Sequence, residues 1–209
     1  MDGVLVDSRT VFERTWRRWA ARHGLDPQRL LSVAHGRRTR ETLAEVAPHL
    51  ATDAEVNWLD AAELEDLEGV VAVEGAPSFV GSLARSSWAV VTSAGRELAL
   101  RRLSAAGLPA PPLLVSGEDV KRGKPAPDGY LAAAEALGHS PSACLVFEDA
   151  PPGIEAGLAA GARVVALSTT HRAEQLAAAH LVVENLAAVR ARAIPAGWLV
   201  AAVLPNNDL

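Results

Sequence analysis

The chain has 209 residues, a formal net charge of −5, 49% apolar and 22% charged residues, and one cysteine. That length and composition exclude a disulfide-stapled mini-protein, a wholly disordered chain and a coiled coil. The acidic balance, with no basic stripe, argues against nucleic acid or an anionic membrane as the main partner.

The remaining partner class is a small molecule. Lone Cys144 sits in an apolar run, so an intrachain disulfide and a cysteine zinc site are both unsupported. No apolar run approaches the roughly 18 residues of a membrane span, and Met1 is followed directly by Asp2. The reading is a soluble, unexported, cytoplasmic protein; no oligomeric state follows from the sequence.

In chain order, the acidic turn Asp2-Gly3-Val4-Leu5-Val6-Asp7-Ser8 comes first. Residues Val11, Phe12, Thr15, Trp16 and Trp19 then recur on one face of a helix, and Thr42 to Ala47 and Asp53 to Leu67 repeat the pattern. An all-helical insert over 9–74 is predicted, with Trp16, Trp19 and Trp58 in its core.

From Trp88 onward short apolar runs alternate with helical stretches: Trp88 to Val91, Leu113 to Val115, Cys144 to Phe147, Arg163 to Leu167 and Leu181 to Val183. Strands covered by helices on both faces need no polar side, so these runs predict a parallel sheet in an α/β, Rossmann-like fold. Gly107, Gly138 and Gly161 each stand where a helix needs a left-handed stop. The core is therefore read as 1–8 plus 75–193, and the Pro-punctuated tail 194–209 is left without structure or chemistry.

Four places carry acidic or small polar groups at the carboxyl ends of strands, where open α/β sheets bind ligands. Asp2 to Ser8 is an acidic turn before the helical insert and on its own reads as a turn with an Asp or Ser helix cap. Thr92 and Ser93 follow a strand and precede a helix, so their hydroxyls and the free backbone N–H groups suit a phosphate as well as a plain cap. Lys124 lies in Gly123-Lys124-Pro125-Ala126-Pro127-Asp128, where prolines would fix a cation that elsewhere would be solvated surface charge. Glu148 and Asp149 end an apolar strand, and two such carboxylates are costly there unless a hard cation such as Mg2+ neutralises them.

In order and spacing these four places resemble the motifs of the haloacid dehalogenase-like hydrolase superfamily over residues 1 to about 190. Asp2 to Ser8, Gly123 to Asp128 and Phe147 to Gly161 look like the sugar and polyol phosphatase subgroup, with a helical cap after the first motif. His35 to Leu43 and Trp88 to Gly95 look similar to glycerol-phosphate and 2-deoxyglucose-6-phosphate phosphatases.

That resemblance implies a Mg2+-dependent phosphatase that cleaves a small sugar or polyol phosphate through an aspartyl-phosphate. Asp2 is then general acid and base, and its carbonyl a metal ligand. Thr92, Ser93 and Lys124 hold the phosphoryl oxygens. Glu148 and Asp149 anchor the metal, and Arg37, Arg38 or Thr39 of the cap meet the substrate alcohol.

In the family pattern the nucleophilic Asp lies two positions before Asp2, so the working protein is expected to carry further N-terminal residues that end in that Asp and include the first central strand. The competing readings are a silent phosphosugar-binding protein and a sugar phosphomutase of the same fold. The mutase is expected to carry a cap histidine where this chain has Phe12, and dehalogenation needs no acidic pair.

Overall fold

The computed structural model describes residues 1–194 and 197–202. A two-residue strand β1 (Val6–Asp7) leads from the acidic turn into four helices: α1 (Arg9–His23), α2 (Pro27–Ala34), α3 (Thr39–Val46) and α4 (Asp53–Glu65). The chain returns through β2 (Val71–Ala72), which pairs antiparallel with β1, Val6 opposite Ala72. Residues 71–72, read as part of the insert, thus form one leg of a two-stranded stalk whose other leg is β1.

Helix α1 buries Val11, Thr15, Trp16, Trp19 and Ala20, the face that the apolar spacing predicts. Gly24, at φ 65°, stops it with the backbone bond that a left-handed cap provides. Trp16 and Trp19 pack with Leu30, Leu31, Leu43 and Leu59 into a cluster drawn wholly from the helical group. Each buried indole removes roughly 150–250 Å2 from water at about 25 cal/mol per Å2, which makes these two the largest apolar contribution to that group.

Trp58 differs from its expectation. It is only partly buried, and Arg18 and Arg22 stack on it with guanidinium carbons 5.1 and 5.3 Å from the ring centre. Its place on α4 lies at the edge of the cluster, so the arginine stems supply the cover that a core would.

The rest of the chain is α/β. Helix α5 (Ala76–Ser82) precedes β3 (Val90–Val91), α6 (Arg96–Ala105), β4 (Leu114–Val115), α7 (Asp128–Ala136), β5 (Leu145–Glu148), α8 (Pro151–Ala159), β6 (Arg163–Leu167) and β7 (Leu181–Val183). Strands β3 and β4 pair in parallel, as do β5, β6 and β7 in that order. Gly107, Gly138 and Gly161 take φ of 69°, 72° and 84° just beyond their helices, as their positions require.

Two further features complete the α/β part. Among the described residues no ladder joins β3–β4 to β5–β7, and Met1, Val4, Leu5 and Val6 pack in one apolar cluster with Val90, Leu114 and Leu167. The second is an antiparallel pair of β8 (Val189–Ile194) and β9 (Gly197–Ala202), which gives structure to part of the tail from 194 that the sequence leaves unassigned. Its alternation of arginines with small apolar residues is the period-2 pattern of a half-covered strand, easily taken for a polar tail. The Pro-Asn-Asn-Asp-Leu end of that tail lies outside the described residues.

Candidate active site

Residues from all four sequence motifs, Asp2, Thr92, Ser93, Lys124, Glu148 and Asp149, line one cavity of about 590 Å3. Loops after β3 and β5 and the turn before β1 supply its floor, and α1, α3, α4 and the 34–38 connection supply its roof. Arg37, Arg38 and Thr39 line it as well.

In the first motif Asp7 Oδ1 accepts the Arg9 N–H at 3.1 Å and so serves one free donor at the start of α1. Ser8 precedes α1 but its hydroxyl makes no capping bond; it donates instead to Asp2 Oδ1 at 2.6 Å. Burial opposes ionisation of Asp2, yet the Arg102 guanidinium and the Ser8 hydroxyl act against it, and the carboxyl lies below its usual range. Asp2 is thus a carboxylate at neutral pH that two donors orient.

At the second motif Thr92 is buried and its Oγ1 accepts a bond from the Ala94 N–H at 3.2 Å. Ser93 Oγ donates to the Gly36 carbonyl at 2.9 Å, a contact from the α/β part to the helical group. Gly95 is the N-cap of α6, and among the described residues no side chain caps that helix start. The motif therefore offers backbone donors and one hydroxyl at a helix N-terminus, an anion-binding arrangement.

The third and fourth motifs meet directly. Lys124 Nζ and the Tyr130 hydroxyl both donate to Glu148 Oε1, and the Asp149 N–H donates to Glu148 Oε2 at 3.1 Å. Burial disfavours the Glu148 charge, but Lys124 and these bonds prevail and keep it well below the ordinary carboxylate range. Asp149 is pushed the other way, first by burial and then by the Glu148 charge beside it. One lysine for two buried carboxylates leaves a negative charge without a partner.

The two carboxylates, expected to anchor a metal with Asp149 the more direct ligand, thus stand in different surroundings. Both Glu148 oxygens are engaged, so its place is that of a counter-charge to Lys124 rather than an open donor. Asp149 takes a bond from the Thr170 hydroxyl and approaches the backbone at Gly3, where an added Cβ would lie 2.0 Å from Asp149 Oδ2. Gly3 also has φ +70°, so this position needs glycine on both counts. Among the described residues no group of three or more His, Cys, Asp or Glu converges as a ready cation cage. The donors present are hard oxygens, the type that Mg2+ takes in ones and twos while keeping water and phosphate ligands.

The residues expected to meet substrate from the roof have partners of their own. Arg37 pairs with Glu45, and Thr39 Oγ1 donates to Asp60 Oδ1 at 3.0 Å. Arg38 donates to the carbonyls of Gly117, Val120 and Lys121 at 3.3, 3.2 and 3.1 Å and pairs with Glu41, which accepts the Gly123 N–H at 3.1 Å. Arg38 and Glu41 thus clasp the loop that leads into Lys124.

Sequence reasoning missed Arg102, Glu63, Tyr130 and Thr170. Arg102 had a readable signal: it stands four residues after Leu98 and three after Ala99, on the buried face of α6, where an arginine needs paired carboxylates. Tyr130 and Thr170 had none, because only folding brings them to the acidic pair.

The family model for haloacid dehalogenase-like hydrolases matches residues 1–161 of this chain. Hexitol phosphatase A of Escherichia coli is 40% identical over 205 residues, covering 96% of this chain and 95% of that protein. Glycerol-1-phosphate phosphohydrolase 2 of Saccharomyces cerevisiae is 34% identical over 182 residues, covering 81% of this chain and 73% of its own. Among solved structures, a hydrolase from Pseudomonas syringae superposes with a TM-score of 0.79 at 27% identity, over 89% of this chain and 91% of that one.

Proposed function

The chain belongs to the haloacid dehalogenase-like hydrolase family, and we propose that within it the protein is a Mg2+-dependent phosphatase of a small sugar or polyol phosphate. The observation that carries this reading is the convergence of Asp2, Thr92, Lys124 and Asp149 on one cavity beneath the helical group. The names of the relatives, phosphatases of hexitol and glycerol phosphates, support the substrate class.

Asp149, with the Asp2 carbonyl, would hold Mg2+, and Glu148 would fix Lys124 beside it. The ion, when bound, supplies positive charge to the phosphoryl oxygens and to the attacking carboxylate. The uncompensated charge at Asp149 supports a cation there.

Thr92, the free N–H groups before α6 and Lys124 would hold the phosphoryl group. The attacking carboxylate belongs to an Asp two positions before Asp2. It displaces the alcohol and forms an aspartyl-phosphate, while Asp2, a carboxylate in the resting protein, takes up a proton from solvent as the phosphate anion enters beside it and passes that proton to the leaving oxygen. Asp2 then takes a proton from the water that hydrolyses the aspartyl-phosphate.

Residues 9–74 act as the cap, with Arg37, Arg38 and Thr39 at its margin. Phe12 lines the cavity where a mutase would need a proton-transferring side chain, which disfavours that alternative. No helix among the described residues is long and apolar enough to cross a membrane, and a cytoplasmic location belongs to the same proposal.

The test is phosphate release by the full-length natural protein from hexitol, glycerol and sugar monophosphates, with Mg2+ and after chelation. Release that stops on chelation and is lost in Asp149→Asn supports the reading. Binding of a phosphosugar without release would instead mark a silent binding protein.

A further inference from the structure

Tyr130 is the third residue of α7, and none of the four motifs contains it. Its hydroxyl donates to Glu148 Oε1, the oxygen that also takes the Lys124 ammonium. Lys124 Nζ lies 5.4 Å from the centre of the Tyr130 ring, within cation–π range. Lys124 lines the main cavity, whereas Tyr130 lines only a small second cavity that Lys124 also borders. Tyr130 thus touches the lysine without lining the space that a substrate would fill.

The start of α7 is itself held against the phosphate-binding strand. Gly129 lies so close to β3 that an added Cβ would be 2.8 Å from Val91 Cγ1. Val91 ends β3, and Thr92 follows it. One helix turn therefore packs on the strand that carries Thr92 and reaches, through the next side chain, the Lys124–Glu148 pair.

A tyrosine hydroxyl inside a protein needs some acceptor, but this one shares an oxygen that a lysine already neutralises. A carboxylate oxygen offers about two lone-pair sites, and an ammonium has three donors. With the hydroxyl in one site, Lys124 gives one N–H to the other and makes no further hydrogen bond among the described residues. Its remaining donors are left for phosphoryl oxygens, and the ring blocks one direction in which the flexible stem would swing away. Without the hydroxyl, Lys124 would be the only side-chain donor to Glu148 Oε1 and would be drawn onto it.

We propose that Tyr130 is a positioning residue for the phosphoryl-binding lysine. Its hydroxyl fills the second acceptor site of Glu148 Oε1, its ring backs Nζ, and together they keep the ammonium turned to the cavity. The proposal rests on the phosphatase reading above. It concerns the phosphoryl group and not the alcohol, so its effect is the same whichever alcohol leaves.

The experiment titrates the full-length protein with inorganic phosphate in a calorimeter and measures kcat/KM on a hexitol phosphate and on p-nitrophenyl phosphate. Tyr130→Phe keeps the ring and removes only the hydroxyl. It is expected to raise the phosphate Kd about 3- to 10-fold, the range of one hydrogen bond, and to lower kcat/KM by one common factor on both substrates. Tyr130→Leu, which removes the ring as well, should lose more; if it does not fold, Tyr130→Phe alone carries the test.

A merely structural tyrosine would lower the unfolding midpoint and leave the phosphate Kd of the folded protein at the wild-type value, and that result would overturn the proposal. A loss confined to the hexitol phosphate would overturn it too, since the defect would then lie with the leaving alcohol. Wild-type protein that binds phosphate but turns over neither substrate would show the phosphatase reading to be at fault, while the two phosphate affinities still decide the role of Tyr130. Wild-type protein that binds no phosphate would overturn both.

Discussion

Lys124 pairs with Glu148 and leaves the adjacent Asp149 without a cation of its own. The side chains of the pair are 10% and 4% exposed, so neither charge is screened by solvent. The two neighbouring carboxylates consequently differ in their partners: Glu148 accepts from Lys124 and Tyr130, Asp149 from the Thr170 hydroxyl.

Removing Lys124 should be costly to the fold as well as to chemistry. Lys124→Met leaves Glu148 buried and unpaired, and a loss of about 3–5 kcal/mol in unfolding free energy is expected from denaturant titration. The double change Lys124→Met with Glu148→Gln should recover most of it. A single variant as stable as wild type would show that water reaches Glu148.

The Arg38–Glu41 clasp should make the molecule sensitive to acid. Burial opposes the Glu41 charge, but bonds from Arg38 and the Gly123 N–H outweigh it and set its folded pKa below the ordinary 4.5. A carboxyl depressed in the folded state contributes stability above its unfolded value and loses it as pH falls through the folded value. Glu41→Gln should therefore flatten the stability profile below about pH 4.5 and leave its neutral-pH slope unchanged. An acid limb identical to wild type would remove Glu41 from that role.

The helical group has its own apolar cluster, so damage to it should stay local. Trp19→Ala should cost about 3–5 kcal/mol, and hydrogen exchange should quicken across α1–α4 before it changes in β5–β7. Uniform loss of protection in both regions would mean that the two parts unfold as one unit.

Much of this architecture is legible in the sequence because its signals are local. Runs such as Arg163 to Leu167 are apolar at consecutive positions, and Gly107, Gly138 and Gly161 mark helix ends by the backbone they alone favour. The pairing of β8 with β9 has no local signal, because Arg190 and Arg192 alternate with small residues, and helical spacing does not show that Arg18 and Arg22 will cover Trp58.

At the site, the motifs locate Asp2, Thr92, Lys124, Glu148 and Asp149, since each sits in a short distinctive string. Their partners are not local. Arg102 reaches Asp2 across 100 residues and Arg38 reaches Gly117 across 79, distances at which no spacing rule operates.

The proposed mechanism is tested most directly by quenching a single turnover of the full-length protein in acid and searching its peptides for a phosphoryl group. With a hexitol phosphate and Mg2+, the account predicts a hydroxylamine-labile acyl phosphate on the peptide that joins Asp2, two positions upstream of it. Phosphate release with no such label, or a label on Glu148 or Asp149, would contradict it.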